Sequence, residues 1–345
     1  MTDRSTAAAP TTAPAAAALE TFTAADAVEL AVLERSGFVE SRHLGSAVVL
    51  APDGAVARAL GDTSTPILPR STLKPVQAAT AIALGADLTG PQLALATASH
   101  SGTDAHVAVV REMLTSGGLG EQDLRCPVAA PSDSATRSAM TLRDEAPSRL
   151  RMNCSGKHAA MLLACRAQGW STHDYLDPAH PLQRATLALL ERVAGERVAA
   201  TAIDGCGAPV HALSLVALAR TIRWATTASA DAADGRDRAV ARVIAAVHAD
   251  PWAIDGPGRE NTEVIERLGT FAKGGAEGVM VMAAPDGHVV ALKVLDGGAR
   301  ATSVAALALL VAQGALAADA VAALATLPTD VRGGDAVVGR LRPTL

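Results

Sequence analysis

Ser46-Ala47-Val48-Val49-Leu50-Ala51-Pro52-Asp53-Gly54-Ala55-Val56-Ala57-Arg58-Ala59-Leu60 sets a Pro-Asp-Gly turn between two β-prone runs. Proline presets one turn φ and glycine accepts a positive one, so the segment reads as a β-hairpin. The pattern returns near the other end. There Ala284-Pro285-Asp286-Gly287 separates Val279-Met280-Val281-Met282 from His288-Val289-Val290-Ala291-Leu292-Lys293-Val294. Between the hairpins the apolar spacing is helical, over 76–84, 105–116, 157–168, 181–194, 212–227, 239–249 and 262–271. A last helix is expected over about 301–313. Strands at both ends and helices between them imply an α+β fold. Its antiparallel sheet is formed by the N- and C-terminal hairpins, about 40–62 and 276–296, packed with helices. The middle region, about 75–270, is mostly helical.

The chain has 345 residues, enough for a substantial core. It is 49% hydrophobic but 2% aromatic, so that core is built from Ala, Val, Leu and Ile. A net charge of −5 and no long basic run point away from nucleic acid. Residues 1–22 are rich in Ala, Thr and Pro and read as a disordered tail ahead of one unit over 23–345. Asp3 and Arg4 are followed by alanines broken by Pro10 and Pro14, which lack the Leu-rich stretch of a secretory signal. No run of about 20 large apolar residues suggests a membrane span. A cytoplasmic location follows. Cys126, Cys154, Cys165 and Cys206 are then expected as unpaired thiols, with Cys126 and Cys165 simply in the core.

Pro69-Arg70-Ser71-Thr72-Leu73-Lys74-Pro75-Val76-Gln77 carries the chemistry. Proline is harmless only in a helix's first turn, so the helix that continues through Leu84 should begin near Ser71. Ser71 and Lys74 then share a face, with the serine at the positive helix end. A serine becomes nucleophilic when a base takes its proton, and a lysine of lowered pKa is such a base. The competing reading is a capping serine beside a solvated lysine.

Five further segments concentrate polar groups. Ser99-His100-Ser101-Gly102 follows an apolar run and reads as a site-lining loop or a turn and cap. Asn153-Cys154-Ser155-Gly156-Lys157-His158 opens a helix, with Asn153 or Ser155 as its cap. Asp204-Gly205-Cys206-Gly207-Ala208-Pro209 leaves a cysteine approachable between glycines. Two thiolates and a nitrogen could hold zinc, although the spacing of standard zinc sites is absent. Lys273-Gly274-Gly275-Ala276-Glu277-Gly278 sets a lysine before the second hairpin, either in a pocket or in solvent. Asp255-Gly256-Pro257-Gly258-Arg259 has the composition of a loop that closes over a site.

Taken in order, the motifs around Ser71, Ser99, Cys154, Cys206 and Lys273 resemble the rhizobial-type, or class 3, L-asparaginases of the asparaginase II family, over roughly residues 25–340. The resemblance implies a fold like the serine β-lactamases and glutaminases, and a catalytic unit spanning 23–345. It implies two serine–lysine tandems, Ser71 with Lys74 and Ser99 with Lys273. The motifs leave open which serine is acylated; Ser71 is favoured. It implies Zn2+ held by Cys154, Lys157 and Cys206, which requires a neutral Lys157 of lowered pKa. Asp204 then binds the substrate α-amino group, and Arg70, His100, Asn153 and His158 line the pocket. The activity implied is L-asparagine hydrolysis by a homodimer. The rival readings are a glutaminase or other Ser-x-x-Lys acyl hydrolase, and a non-catalytic amino-acid-binding protein with structural zinc.

Overall fold

The computed structural model describes residues 19–345. Most of the stretch expected as a tail, residues 1–18, lies outside them. Phe22, at its end, is a large apolar side chain and packs into the main core.

Strands β1 (Val28–Arg35), β2 (Phe38–Leu50) and β3 (Val56–Leu60) come first. Helices α1 (Lys74–Ala83), α2 (Pro91–Ala96), α3 (Asp104–Ser116), α4 (Ser134–Leu142), α5 (Ser155–Gln168) and α6 (Pro181–Ala194) follow. A small hairpin, β4 (Ala200–Ile203) and β5 (Pro209–Ala212), precedes α7 (Leu215–Thr227), α8 (Gly235–Ala249) and α9 (Glu260–Leu268). Then come β6 (Phe271–Gly275), β7 (Val279–Ala283) and β8 (Val289–Val294). Helices α10 (Thr302–Ala312) and α11 (Ala318–Ala322) and strands β9 (Asp330–Gly333) and β10 (Ala336–Pro343) end the fold.

The α+β architecture is the expected one. Both Pro-Asp-Gly hairpins form, and each is closed in the same way. Ala51 N–H donates to Ala55 O at 2.8 Å, and Ala284 N–H to His288 O at 2.8 Å. Gly54 and Gly287 take φ of +91° and +98°, values that favour glycine. The hairpins then join edge to edge, because β2 pairs with β8 antiparallel from Gly45↔Val294 to Leu50↔Val289. The strand order is β6-β7-β8-β2-β1-β10-β9, with β3 on the second half of β2.

The sheet is wider than the two hairpins. Strands β9 and β10 each bury one side chain, Val331 and Leu341, and are otherwise polar or exposed. That is too little alternation to read as strand. Strands β7 and β8 are buried throughout, as strands covered on both faces are. Helix α10 packs on β7, β8 and β10, and α7 on β2, β7 and β8.

Two expected helices shift at their ends. The 212–227 helix starts at Leu215, because Ser214 caps it by accepting from Ala217 N–H at 3.0 Å. The 262–271 helix stops at Leu268, because Gly269 turns left-handed (φ +60°) and Phe271 enters β6. Helix α1 is buried from Lys74 through Ala81 and sits among α2, α5, α6, α7 and α8. Its alanines let those neighbours approach closely. Among the described residues, no helix is long and apolar enough to cross a membrane.

Gly45 stands where β2 meets β8. A Cβ there would overlap the Lys293 carbonyl oxygen and the Leu30 side chain. Gly45→Val should therefore lower the unfolding free energy by about 1–3 kcal/mol, read as a lower urea midpoint at unchanged slope.

Candidate active site

A single 3₁₀ turn, Arg70–Leu73, leads into α1 and carries Ser71. Arg70 has φ +53°, uncommon for a residue with a side chain. Its side chain holds it there. Arg70 Nε donates to Asp204 Oδ1 at 2.7 Å, and Nη1 lies 3.8 Å from Glu277 Oε1. One guanidinium thus ties the Ser71 turn to the β4–β5 loop and to the β6–β7 turn. Lys74 N–H donates to Ser71 O, fixing the order of serine and lysine along the helix start.

The Ser99 segment is pinned by three backbone bonds. Ser99 N–H donates to Ile254 O at 2.9 Å, His100 N–H to Asn153 O at 3.1 Å, and Ser101 N–H to Asp255 O at 2.7 Å. Ser99 Oγ then accepts from two buried amines. Lys74 Nζ is at 2.9 Å and Lys273 Nζ at 2.8 Å. Lys74 also donates to Ala98 O, and Lys273 to Gly274 O at 2.8 Å. The expected tandem of Ser99 with Lys273 is thus drawn together. Among the described residues, Lys74 Nζ makes no hydrogen bond to Ser71; its donors go to Ala98 and Ser99.

Electrostatics follow from burial. Desolvation, and then the neighbouring Lys74 charge, push Lys273 down to about 7. Asp255 opposes this. Burial raises the Asp255 carboxyl, while Lys273, an Asn261 side-chain bond at 3.0 Å, Arg259 and Lys74 pull it back. The Asp255–Asn261 pair was not among the candidates read from sequence. The 255–259 loop was visible as a possible closure, but its approach to Lys273 is a tertiary contact with no local signature.

Of the other candidates, His100 is buried, with both ring nitrogens engaged. Its Nδ1 accepts from Gly102 N–H at 3.2 Å, so Nε2 carries the proton toward Ser155 Oγ at 2.9 Å. Burial, His106 and Lys74 hold it neutral. It stacks on His106 at 4.9 Å and braces the Ser99 loop from behind. His158 Nδ1 meets Tyr175 Oη at 2.7 Å, and its buried Nε2 has no partner among the described residues. Asn153 is exposed; its Oδ1 accepts from the Cys154 thiol at 3.2 Å. The helix cap there is Cys154, because Ser155 Oγ turns to Leu150 O at 2.8 Å.

Cys154 and Cys206 lie together in a small buried cluster with Ala208. Lys157 Nζ donates to Cys206 Sγ at 3.0 Å. The hydrogen bond from Cys206, against the cost of burial, puts Cys154 well below the usual thiol range, and the same bond raises Cys206. Burial works against the Lys157 charge, but the Cys206 and Cys154 sulfurs outweigh it and raise the amine. On their own, then, these side chains keep Lys157 protonated, the reverse of the lowered value that a lysine ligand needs. Asp204 sits beside them, held below its usual value by Arg70 and Lys157 despite its burial. Among the described residues, no three His, Cys, Asp or Glu converge as metal donors; the third donor here is an amine. Cys126 and Cys165 are buried, and all four cysteines are free.

The fold and the site define a class: an α+β protein whose centre joins Ser99 to two buried lysines, Lys74 and Lys273, from distant segments. The model of the L-asparaginase II family matches residues 31–343, so the chain belongs to that family, and the family makes it an amidohydrolase of asparaginase/glutaminase type. No curated protein matches the sequence. Among solved structures, the chain is similar to Mglu in its native form, at 12% identity and TM-score 0.44, covering 80% of this chain and 66% of that one. It is also similar to a β-lactamase from Mycobacterium bovis, at 17% identity and TM-score 0.40, covering 79% and 95%. A third is a Bacillus glutaminase, at 11% identity and TM-score 0.35, covering 78% and 91%.

Lys273 gives a sign to the pH dependence of stability. With its folded value near 7 and its unfolded value near 10.5, the unfolded chain holds the extra proton between them. Stability therefore rises with pH across that window, and the full cost of burial is felt below it. Lys273→Met should stabilise the protein most at pH 6, with the gain shrinking toward pH 10, as measured by urea unfolding at each pH.

Proposed function

We propose that the chain hydrolyses L-asparagine to L-aspartate and ammonia, with Ser71 as the acylated nucleophile. The observation that carries this reading is the convergence of Lys74 and Lys273 on Ser99 Oγ. A hydroxyl accepting from two amines has both lone pairs occupied, while its own proton is free to be given. Such a group relays protons better than it attacks carbon. Ser71 lies one turn before Lys74, at the start of the helix, and supports the nucleophile's role.

Lys74, once it has passed a proton through Ser99 to the uncharged Lys273, takes the Ser71 proton while Oγ bonds to the side-chain amide carbon. Thr72 N–H is spent on Pro69 O at 3.2 Å and Lys74 N–H on Ser71 O, so the Ser71 N–H is the donor of this turn proposed for the developing oxyanion. The proton passes through Ser99 between the two lysines and onto the leaving nitrogen, and the C–N bond breaks to release ammonia. Water then cleaves the aspartyl ester by the same relay in reverse. The Asp204 carboxylate receives the α-amino group, with Arg70 holding that carboxylate in place.

Two buried sulfurs and an amine suit zinc, so Cys154, Lys157 and Cys206 would hold it. Zinc bound there would supply a fixed positive charge beside Asp204. Zinc binding should release protons, measured by calorimetry in buffers of different ionisation enthalpy. Cys206→Ser should lose the metal by elemental analysis.

The chain is proposed to act in the cytoplasm, where its four thiols stay reduced, and as a homodimer, which sedimentation velocity tests. Ammonia release from asparagine and glutamine tests the reaction. Ser71→Ala should fold normally and lose on the order of 10³-fold or more in turnover. Full activity in that variant, or ammonia from glutamine alone, would sink the assignment.

A further inference from the structure

Asp255 has no step in the reaction described above, yet its backbone is built into the Ser99 loop. Ile254 O accepts from Ser99 N–H at 2.9 Å and Asp255 O from Ser101 N–H at 2.7 Å, so the two segments run side by side. The Asp255 carboxylate is thereby brought near the two amines that meet at Ser99 Oγ. Asn261 Nδ2, from α9, donates to its Oδ2 at 3.0 Å and fixes its direction. That amide leaves its own buried Oδ1 without a partner among the described residues, a cost that a bond to an ionised carboxylate offsets. Among the described residues no Lys or Arg nitrogen pairs directly with Asp255; its action on the amines is through space.

That action is uneven. Of the cations facing Asp255, Lys273 acts on it most strongly, then Arg259, then Lys74. Glu260 on α9 faces it as well. The groups facing Lys273 in turn are Lys74 on α1, Asp255 on the 255–259 loop and Cys154 at the start of α5. A negative charge set closer to one amine than to the other makes a proton shared by the two more stable on the closer one. We propose that Asp255 is a positioning residue of the reaction: it draws the shared proton through Ser99 onto Lys273 and so leaves Lys74 free to act as base. This rests on the reaction proposed above, in which Lys74 deprotonates Ser71 only after Lys273 has taken that proton. The transfer balances. One proton leaves Lys74 Nζ for Ser99 Oγ, the Ser99 hydroxyl proton moves to Lys273 Nζ, and the Asp255 carboxylate keeps its charge throughout.

Asp255→Asn keeps the shape and removes the charge. It should lower kcat for ammonia release from asparagine about tenfold, with KM changed less than about twofold. The acid limb of its pH profile should also move down by about one unit, because the amine pair gives up its first proton more readily without the carboxylate. Asp255→Glu, which keeps the charge, should leave the limb in place. Asp255→Ser serves as a second neutral variant, with circular dichroism reporting the fold of each. The chain has four lysines, Lys74, Lys157, Lys273 and Lys293, so carbon-13 lysine NMR without substrate resolves Lys273, assigned by its loss in Lys273→Met. Its titration midpoint should fall together with the limb in both neutral variants. An unmoved Lys273 midpoint in a folded neutral variant, or a lower kcat with the limb unmoved, overturns the proposal. The NMR reads the amine with no substrate present, so its failure is distinct from failure of the reaction itself, which shows as no ammonia from the unaltered enzyme.

Discussion

The antiparallel pairing of β2 with β8 is the contact on which the site depends. It fixes the C-terminal hairpin against the N-terminal one, residue by residue, and so fixes β7 and β6 beyond it. Strand β6 delivers Lys273, and its end packs on the turn carrying Ser71. A slip of one residue in this pairing would turn every side chain of the added strands to the other face. Gly45 at the junction, where no side chain fits, holds that register.

The pairing has an electrostatic cost. It places a second buried amine beside the first, and two ammonium groups near one hydroxyl repel each other strongly in a dry site. The protein answers by pushing Lys273 down to about 7, with Asp255 facing the pair from the 255–259 loop. The strained backbone of Arg70 is a second local cost, offset by its ion pair with Asp204. Both costs lie where the proposed reaction calls for a neutral amine and an oriented turn. The rest of the core is well-packed Ala, Val and Leu.

Much of this was legible in the sequence because the signals were local. The two Pro-Asp-Gly turns specified the central hairpins, and the position of Pro75 specified where α1 could begin. Ser99 and Lys273, 174 residues apart, were paired by resemblance to a family, since nothing in either segment points to the other. The same limit hid the turn of Lys74 toward Ser99, which depends on where the Ala98 carbonyl lies in space. It hid Asp255 and Asn261 for the same reason. Strands β9 and β10 escaped notice because each buries a single apolar residue. His100 was read as pocket-lining from its position beside Ser99, whereas burial and two satisfied nitrogens set it behind the loop.

The union of the two hairpins also bears on how the chain is made. A ribosome delivers β2 early and β8 only after some 240 residues more. During that interval β1, β2 and β3 can assemble, and the helices can collect around α1, but one flank of β2 keeps its N–H and C=O groups unmatched. An apolar strand in that state is a template for pairing with another nascent chain. The last third of the polypeptide therefore does more than complete the fold. By covering that flank it ends the period in which the growing protein is most open to aggregation.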